Sequence, residues 1–244
     1  MRGTVRTGPR QVRARGGGTR HSGAVHLTYL GHSCLLVETA GRRVLVDPGN
    51  VSTDWHGLRD LDAVLVTHAH PDHLDPAHVG ALLAANPGAA VHAEPAVAAA
   101  LADGTTTGSP VPAAALAAGV TAELGGGLTV EGVGGQHAVI HADIPRIGNV
   151  GMLLRAEGEP TFLHPGDAYS ATPAGVDVLA VPLHAPWAAV KETVDFTRAV
   201  GATTVVPVHD RLLTPPGRAM YLARVRELGG SDVVDLAEAG RTEV

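Results

Sequence analysis

Seven consecutive residues, 67–73 with the sequence Thr-His-Ala-His-Pro-Asp-His, constrain this chain more than any other feature. They place three histidines and a carboxylate in one short segment, directly after the apolar run 63–66, which is typical of a buried strand. Imidazole and carboxylate groups are good ligands for zinc and chemically similar metals. Structural zinc sites usually use cysteine, and none lies nearby. We therefore expect a metal site here, against the alternative of a polar surface loop that is rich in histidine.

Three further polar residues close predicted strands later in the chain, and each could complete such a site. His137 follows the strand predicted at 128–132, Asp167 follows that at 160–164, and His209 follows that at 203–208. Polar side chains on loops that a rigid scaffold positions are common in catalytic sites. The four segments together offer more ligands than one metal ion needs.

The order of predicted elements indicates an α/β fold with two sheets sandwiched between helices. Alternating or continuous apolar runs predict strands, and proline, glycine and capping signals predict where helices begin and end. In the second half we also expect strands at 120–124, 149–155 and 176–181. The predicted strands of the first half are 25–30, 34–38, 43–47, 63–67 and 90–93; the predicted helices are 75–85, 95–101, a helical turn after 112, 187–200 and 216–228.

The 67–73 segment resembles the T-H-x-H-x-D-H signature of the metallo-β-lactamase-fold hydrolases, and the resemblance covers about residues 24–230. His137, Asp167 and His209 fall where that family has its later ligands. The opening Leu-Gly-His-Ser at 30–33 and Asp-Pro-Gly at 47–49 look most like the branch that includes L-ascorbate-6-phosphate lactonase. The family's fold is a four-layer αββα sandwich, which agrees with the predicted order of elements.

The resemblance implies a centre with two divalent metal ions, with zinc as the first expectation and manganese or iron also compatible. It assigns His68, His70 and His137 to one ion, Asp72, His73 and His209 to the other, and Asp167 to the bridge between them. A metal-bound hydroxide would then cleave an ester, lactone or phosphoester of a small-molecule substrate. Among these residues, Asp72 is the one on which we expect catalysis to depend.

Four more polar residues are candidates for supporting the ligands or contacting the substrate. Asp47 ends a predicted strand and could orient a ligand imidazole through its second nitrogen. His32 lies in the first turn, His164 precedes Asp167 by three residues, and His184 closes another strand. For each histidine a purely structural role stays open. Cys34, the single cysteine, lies in an apolar context and is expected to be a small buried side chain rather than a nucleophile beside Ser33.

Departures from the family narrow the expected chemistry. Because the only cysteine precedes the metal motif, a true β-lactamase with a cysteine ligand is not expected. Diiron oxygen reductases of this fold have an acidic residue at the position of His70, so His70 favours hydrolysis. The alternatives are a non-catalytic metal-binding or regulatory protein of the same fold, and a nuclease that uses a basic N-terminal arm.

Charge is distributed unevenly along the chain. Residues 1–20 carry six of the 18 basic residues and no acidic one, so the remainder is strongly acidic. We expect a disordered basic tail at 1–23 and a hydrolase domain at 24–244, with nucleic acid not expected as a partner. The chain has no secretory signal and no apolar run of membrane-spanning length, which predicts a cytoplasmic protein without a membrane partner. The oligomeric state stays open, and a homo-oligomer is one possibility.

Overall fold

The computed structural model describes residues 23–244. The basic tail that we expect at 1–23 therefore lies outside the described residues, except for Gly23. The first half of the described chain forms β1 (His26–Gly31), β2 (Cys34–Thr39), β3 (Arg42–Val46), β4 (Ala63–Val66), α1 (Val79–Ala85), β5 (Ala90–Ala93), α2 (Pro95–Ala102) and β6 (Ala114–Ala115).

The second half again alternates strands with helices. It forms β7 (Thr121–Gly125), β8 (Leu128–Gly134), β9 (Val150–Arg155), β10 (Phe162–His164), β11 (Val178–Pro182), α3 (Val190–Val200), β12 (Thr204–Val208), α4 (Pro215–Leu228), β13 (Asp232–Val233) and β14 (Thr242–Glu243).

The strands form two seven-stranded mixed sheets. The first sheet has the order β14-β1-β2-β3-β4-β5-β6, and the second has the order β13-β12-β11-β10-β9-β8-β7. In the first sheet β1 to β3 pair antiparallel, whereas β3 to β6 pair parallel. In the second sheet β10 to β13 pair parallel, and β7 to β10 pair antiparallel. The parallel strands place their carboxyl ends at one edge of each sheet, which is where the loops with the predicted ligands begin.

Alternation along the strands divides the buried side chains into three clusters. In β4, Ala63 and Leu65 belong to a central cluster that side chains of both sheets share, whereas Val64 and Val66 face α1 and α2. On the far side of the second sheet, Leu179 and Val181 of β11 pack with residues of α3 and α4. The molecule therefore has four layers, helices–sheet–sheet–helices, and the predicted αββα sandwich is confirmed.

Two predictions of local structure are wrong, and two short strands were missed. The alanine-rich segment after residue 112 is not a helical turn, because Ala114 and Ala115 pair with β5 as an edge strand. The first helix begins at Val79 rather than at Asp75, since Asp75 accepts a hydrogen bond from the backbone N–H of Ala77 and forms a turn instead. The C-terminal strands β13 and β14 were not predicted, and each extends one sheet at its edge.

Among the described residues, no helix is both long enough and apolar enough to cross a membrane.

Candidate metal centre

The predicted ligands converge at one edge of the two sheets. The loop after β4 carries the residues of the 67–73 segment, and the loops after β8, β10 and β12 carry one further residue each. All of the eleven candidates except His70, Asp72 and His184 are buried. The loop after β4 follows a strand that is buried on both faces.

His68, His70 and His137 form the first group of donor atoms. One nitrogen of each ring lies within 4.8 Å of a nitrogen of the other two. The Nε2 of His68 and the Nδ1 of His70 are 3.1 Å apart. This spacing suits two ligands of the same ion, since metal–nitrogen bonds of about 2 Å place neighbouring donors roughly 3 Å apart.

Asp72, His73 and His209 form a second group, which His32 joins. The Oδ2 of Asp72 lies 3.2 Å from Nε2 of His32, 3.6 Å from Nε2 of His209 and 3.9 Å from Nε2 of His73. The rings of His32 and His209 are tilted against each other with centroids 3.9 Å apart. His32 therefore contacts the second group directly. From the sequence alone, a supporting role and a purely structural role were both open for this residue.

The carboxylate of Asp167 lies between the two groups. Its Oδ1 is 3.1 Å from Nε2 of His73, and its Oδ2 is 3.5 Å from Nε2 of His137 and 3.3 Å from Nε2 of His209. One carboxylate therefore reaches nitrogens of both groups, which is the position that a bridging ligand would need.

Hydrogen bonds to Asp47 orient two of the imidazoles. The backbone N–H and the hydroxyl of Thr67 donate to Asp47, and the Nδ1–H of His73 donates to Asp47 Oδ2 at 2.7 Å. Because the hydroxyl proton of Thr67 is committed to Asp47, Thr67 Oγ1 accepts from Nδ1 of His68 at 3.0 Å. In both rings this leaves Nε2 free to act as a ligand.

Backbone carbonyls orient two more rings in the same way. The Nδ1–H of His137 donates to the carbonyl of Ala138 at 2.7 Å, and the Nδ1–H of His209 donates to the carbonyl of His184 at 2.6 Å. Four histidines from three loops thus present Nε2 to the centre.

Several buried polar atoms of the centre have no hydrogen-bond partner. They include Nε2 of His137, Nε2 of His209 and Oδ1 of Asp167. Such orphaned atoms are costly in a folded protein unless something else satisfies them. Since all three are metal-donor atoms that point into one space, the residues fit divalent metal ions.

The carboxylates and imidazoles of the centre shift one another's pKa values. Burial opposes the charged form of His73, but Asp167 and Asp47 raise its pKa well above the usual value. Burial likewise opposes the anion of Asp167, yet His73 and His209 keep its pKa well below the usual value. The pKa of His209 is raised to about 9 by Asp167 and Asp72, which outweigh burial. The site is therefore built around ionised carboxylates that attract positive charge.

Left-handed backbone occurs at three residues of the centre. His32, Asp47 and His209 have φ values of 55°, 50° and 55°. The backbone N–H of His209 donates to the carbonyl of His32 at 2.8 Å, so two of these residues hold each other. Gly49 is required nearby because a Cβ there would lie 1.7 Å from the carbonyl oxygen of Asp72. Backbone strain of this kind is often found at functional sites.

Two other candidates do not offer a nitrogen to the centre. The Nε2–H of His164 donates to the carbonyl of Ser33 at 2.9 Å, and its Nδ1 accepts from the backbone N–H of Gly166. The Nδ1 of His184 lies 3.2 Å from the hydroxyl of Tyr221. His164 therefore fixes the turn that carries Asp167, and only the carbonyl of His184 acts on a candidate ligand.

Burial argues against a side-chain nucleophile in the first turn. Ser33 and Cys34 are both buried, as predicted for the cysteine. Burial raises the pKa of the Cys34 thiol well above its usual value, which keeps the thiolate scarce.

Trp187, Asn149 and Arg146 were not predicted to contribute to the centre, although all three contact it. The Nε1–H of Trp187 donates to Asp167 Oδ2 at 2.9 Å. The backbone N–H of Asp167 donates to Oδ1 of Asn149, and Arg146 donates twice to the carbonyl of His137. The only available signal was the position of Trp187, one of two tryptophans, shortly after a predicted strand end.

One side of the centre is accessible. His70 and Asp72 are partly exposed, as are the neighbouring His184 and Trp187, whereas the other candidate ligands are buried. A ligand from solution would therefore meet His70 and Asp72 first.

Comparison with known proteins relates the chain to one family. Residues 26–209 match the family model of the beta-lactamase superfamily domain. The chain is 40% identical over 218 residues to Protein Rv0786c of Mycobacterium tuberculosis, covering 88% of this chain and 97% of that protein. It is 42% identical to a UPF0173 metal-dependent hydrolase of Aeropyrum pernix over 69 residues, which are 27% of this chain and 28% of that protein. The structure of a metallo hydrolase from Ignicoccus hospitalis superposes with a TM-score of 0.68 at 21% identity, covering 91% and 98% of the two chains.

Proposed function

This chain belongs to the beta-lactamase superfamily, and we propose that it is a metal-dependent hydrolase with a dinuclear centre that cleaves an ester, lactone or phosphoester of a small molecule. The observation that carries the proposal is the position of Asp167, whose carboxylate reaches nitrogens of both donor groups. A site for one ion would not need such a bridge.

We assign His68, His70 and His137 to one ion and Asp72, His73 and His209 to the other. The two groups share no residue, and each has its donor atoms within 4.8 Å of one another. The orphaned atoms of His137, His209 and Asp167 support this assignment because the ions would satisfy all three. Zinc suits the set of imidazoles and carboxylates best, and manganese or iron(II) is also compatible.

Divalent ions would supply a water of lowered pKa and would polarise the oxygen of the bond under attack. The residues of the chain keep that chemistry in place. Trp187 holds one oxygen of Asp167, and Asp47 fixes the ring of His73. Asp72 keeps its negative charge because His209 and His32 outweigh burial and lower its pKa. Its partial exposure places that charge beside the approaching substrate.

Direct attack by water is favoured over attack by a hydroxyl or thiol side chain. Ser33 and Cys34 are both buried, so neither can reach a substrate that approaches from solution. The proposal covers esters, lactones and phosphoesters together, since metal-activated water attacks both carbonyl and phosphoryl groups.

The experiment is an activity screen after reconstitution with zinc, manganese or iron(II). It uses generic phosphodiesters, phosphomonoesters, lactones and carboxylic esters, and it compares wild type with Asp72→Ala. Asp54→Ala is the matched control, because Asp54 is an exposed carboxylate of a neighbouring loop. We expect turnover of at least one class, a loss of more than about 100-fold in Asp72→Ala and little change in the control.

Turnover retained by Asp72→Ala would contradict the dinuclear assignment. A fully metal-loaded protein without turnover of any class would instead favour a non-catalytic metal-binding protein of the same fold. The nuclease alternative depends on the basic residues at 1–22, which lie outside the described residues.

A further inference from the structure

We propose that His56, Asp75 and His78 form a separate site for a divalent transition metal, zinc in the first instance, between the loop after β3 and the start of α1. One donor atom of each residue lies within 4.8 Å of the others. The three residues are distinct from those of the candidate metal centre. The inference therefore does not depend on any hydrolytic activity.

The geometry centres on a buried carboxylate. Asp75 is only 4% exposed, and its Oδ2 lies 2.6 Å from Nδ1 of His78 and 4.0 Å from Nε2 of His56. Its other oxygen accepts a hydrogen bond from the backbone N–H of Ala77. One carboxylate oxygen thus faces two imidazole nitrogens that come from different loops.

Local hydrogen bonds explain the positions of Asp75 and His78 but not that of His56. An ordinary turn at the start of α1 accounts for the contacts of Asp75 with Ala77 and His78. It does not account for His56, whose Nε2 is buried and has no hydrogen-bond partner. A cation beside Asp75 Oδ2 would satisfy that nitrogen, and small rotations of the three side chains would bring the donors to ligand spacing.

Ring contacts hold the two imidazoles close to each other. The rings of His56 and His78 are stacked, with centroids 4.3 Å apart and an angle of 20° between their planes. Trp55, which is fully buried, makes an edge contact with His56 at a centroid distance of 4.4 Å. Two candidate ligands from different loops are therefore kept side by side.

Two imidazoles and one carboxylate suit zinc and its neighbours better than magnesium or calcium, which prefer oxygen ligands. His78 is more than half exposed, so water could occupy the remaining coordination positions. The group therefore has the chemistry of an accessible zinc site with three protein ligands.

A cation here would tie together two segments that support the main centre. The loop after β3 begins with Asp47, and Asp75 follows His73 by two residues. The segments already touch through the backbone, since the N–H of Asp75 donates to the carbonyl of Pro48 and the N–H of Asn50 donates to the carbonyl of Pro71. The additional ion would therefore strengthen an existing contact rather than create one.

The test counts zinc bound to the tag-free chain after equilibrium dialysis, by elemental analysis. We expect His56→Ala/His78→Ala to bind one zinc ion per chain fewer than wild type. The matched control is His26→Ala/His141→Ala, which removes two histidines from outside all of the donor groups and should bind as much zinc as wild type. An equal count for wild type and His56→Ala/His78→Ala would overturn the proposal.

Loss of stability in the double variant would not obscure the result. His78→Gln alters a single, largely exposed side chain and should fold normally. It should bind one zinc ion per chain fewer than wild type. When Tm is followed during addition of zinc, it should also lack the further rise in Tm that wild type shows once the main centre is filled. An unchanged zinc count and an unchanged Tm response in this variant would contradict the site.

Discussion

The Nδ1–H of His73 donates to the carboxylate of Asp47 at 2.7 Å, and both side chains are completely excluded from solvent. Asp47 also accepts two hydrogen bonds from Thr67, so one carboxylate fixes the ring of His73 directly and that of His68 through the Thr67 hydroxyl. The orientation of two imidazoles of the 67–73 segment therefore depends on a residue 20 positions upstream of Thr67.

Asp47→Asn should weaken metal binding by about 10–100-fold, which is the usual effect of removing a carboxylate that orients a ligand imidazole. The amide can still accept the N–H of Thr67, but it cannot serve all three donors. The measurement is competition for zinc against a chelator of known affinity. Asp54→Asn is the control, and equal affinities for the two variants would contradict this role of Asp47.

Trp187→Phe should lower metal affinity by about tenfold, because a hydrogen bond to a charged group contributes roughly 1.5–3 kcal/mol. The change removes the N–H that donates to Asp167 but keeps an aromatic ring beside Tyr169. Tyr221→Phe removes a hydroxyl that lies beside His184, which offers no nitrogen to the centre, and serves for comparison. The two variants are compared by zinc titration, and an affinity in Trp187→Phe equal to that of Tyr221→Phe would refute the assignment.

His164→Phe should reduce the free energy of unfolding by about 1–3 kcal/mol, since it leaves the buried carbonyl of Ser33 and the N–H of Gly166 without partners. His141→Phe, at an exposed histidine, should change it by less than about 0.5 kcal/mol. Urea denaturation of the metal-free proteins measures both values. Equal free energies of unfolding for His164→Phe and His141→Phe would contradict a structural role of His164.

Asp235→Asn should destabilise the protein at neutral pH by about 1 kcal/mol, an effect limited by partial exposure. Arg218 donates to both oxygens of Asp235 and lowers the pKa of that carboxyl. A lowered pKa contributes stability above the unfolded value of about 3.9, and that contribution is lost as pH falls further. The difference between wild type and variant, followed by urea denaturation from pH 7 to pH 3, should therefore shrink with falling pH. A difference that stays constant would contradict the ion pair.

The sequence predicted those features that a single segment or a strand end carries. The 67–73 segment and the strand ends at His137, Asp167 and His209 were sufficient to predict which side chains converge, and the alternation of apolar residues was sufficient to predict two sheets. The strand at Ala114–Ala115 was missed because pairing with β5 overrides the helical propensity of alanine. The contact of Trp187 with Asp167 joins residues 20 positions apart on either side of β11, and no local pattern encodes such a contact.

The position of His32 could not be predicted for a different reason. Its place in the centre depends on a left-handed backbone and on a hydrogen bond from His209, which is 177 positions later in the chain. Sequence patterns identify the turn but not the direction in which it presents the ring.

Anomalous diffraction from crystals of the zinc-reconstituted protein tests whether two ions share the carboxylate of Asp167. Two anomalous peaks are expected about 3.5–4 Å apart, with Asp167 between them. His68, His70 and His137 should contact one peak, and Asp72, His73 and His209 should contact the other. A single peak in a fully loaded crystal, or two peaks with Asp167 bound to neither, would contradict the proposed dinuclear centre.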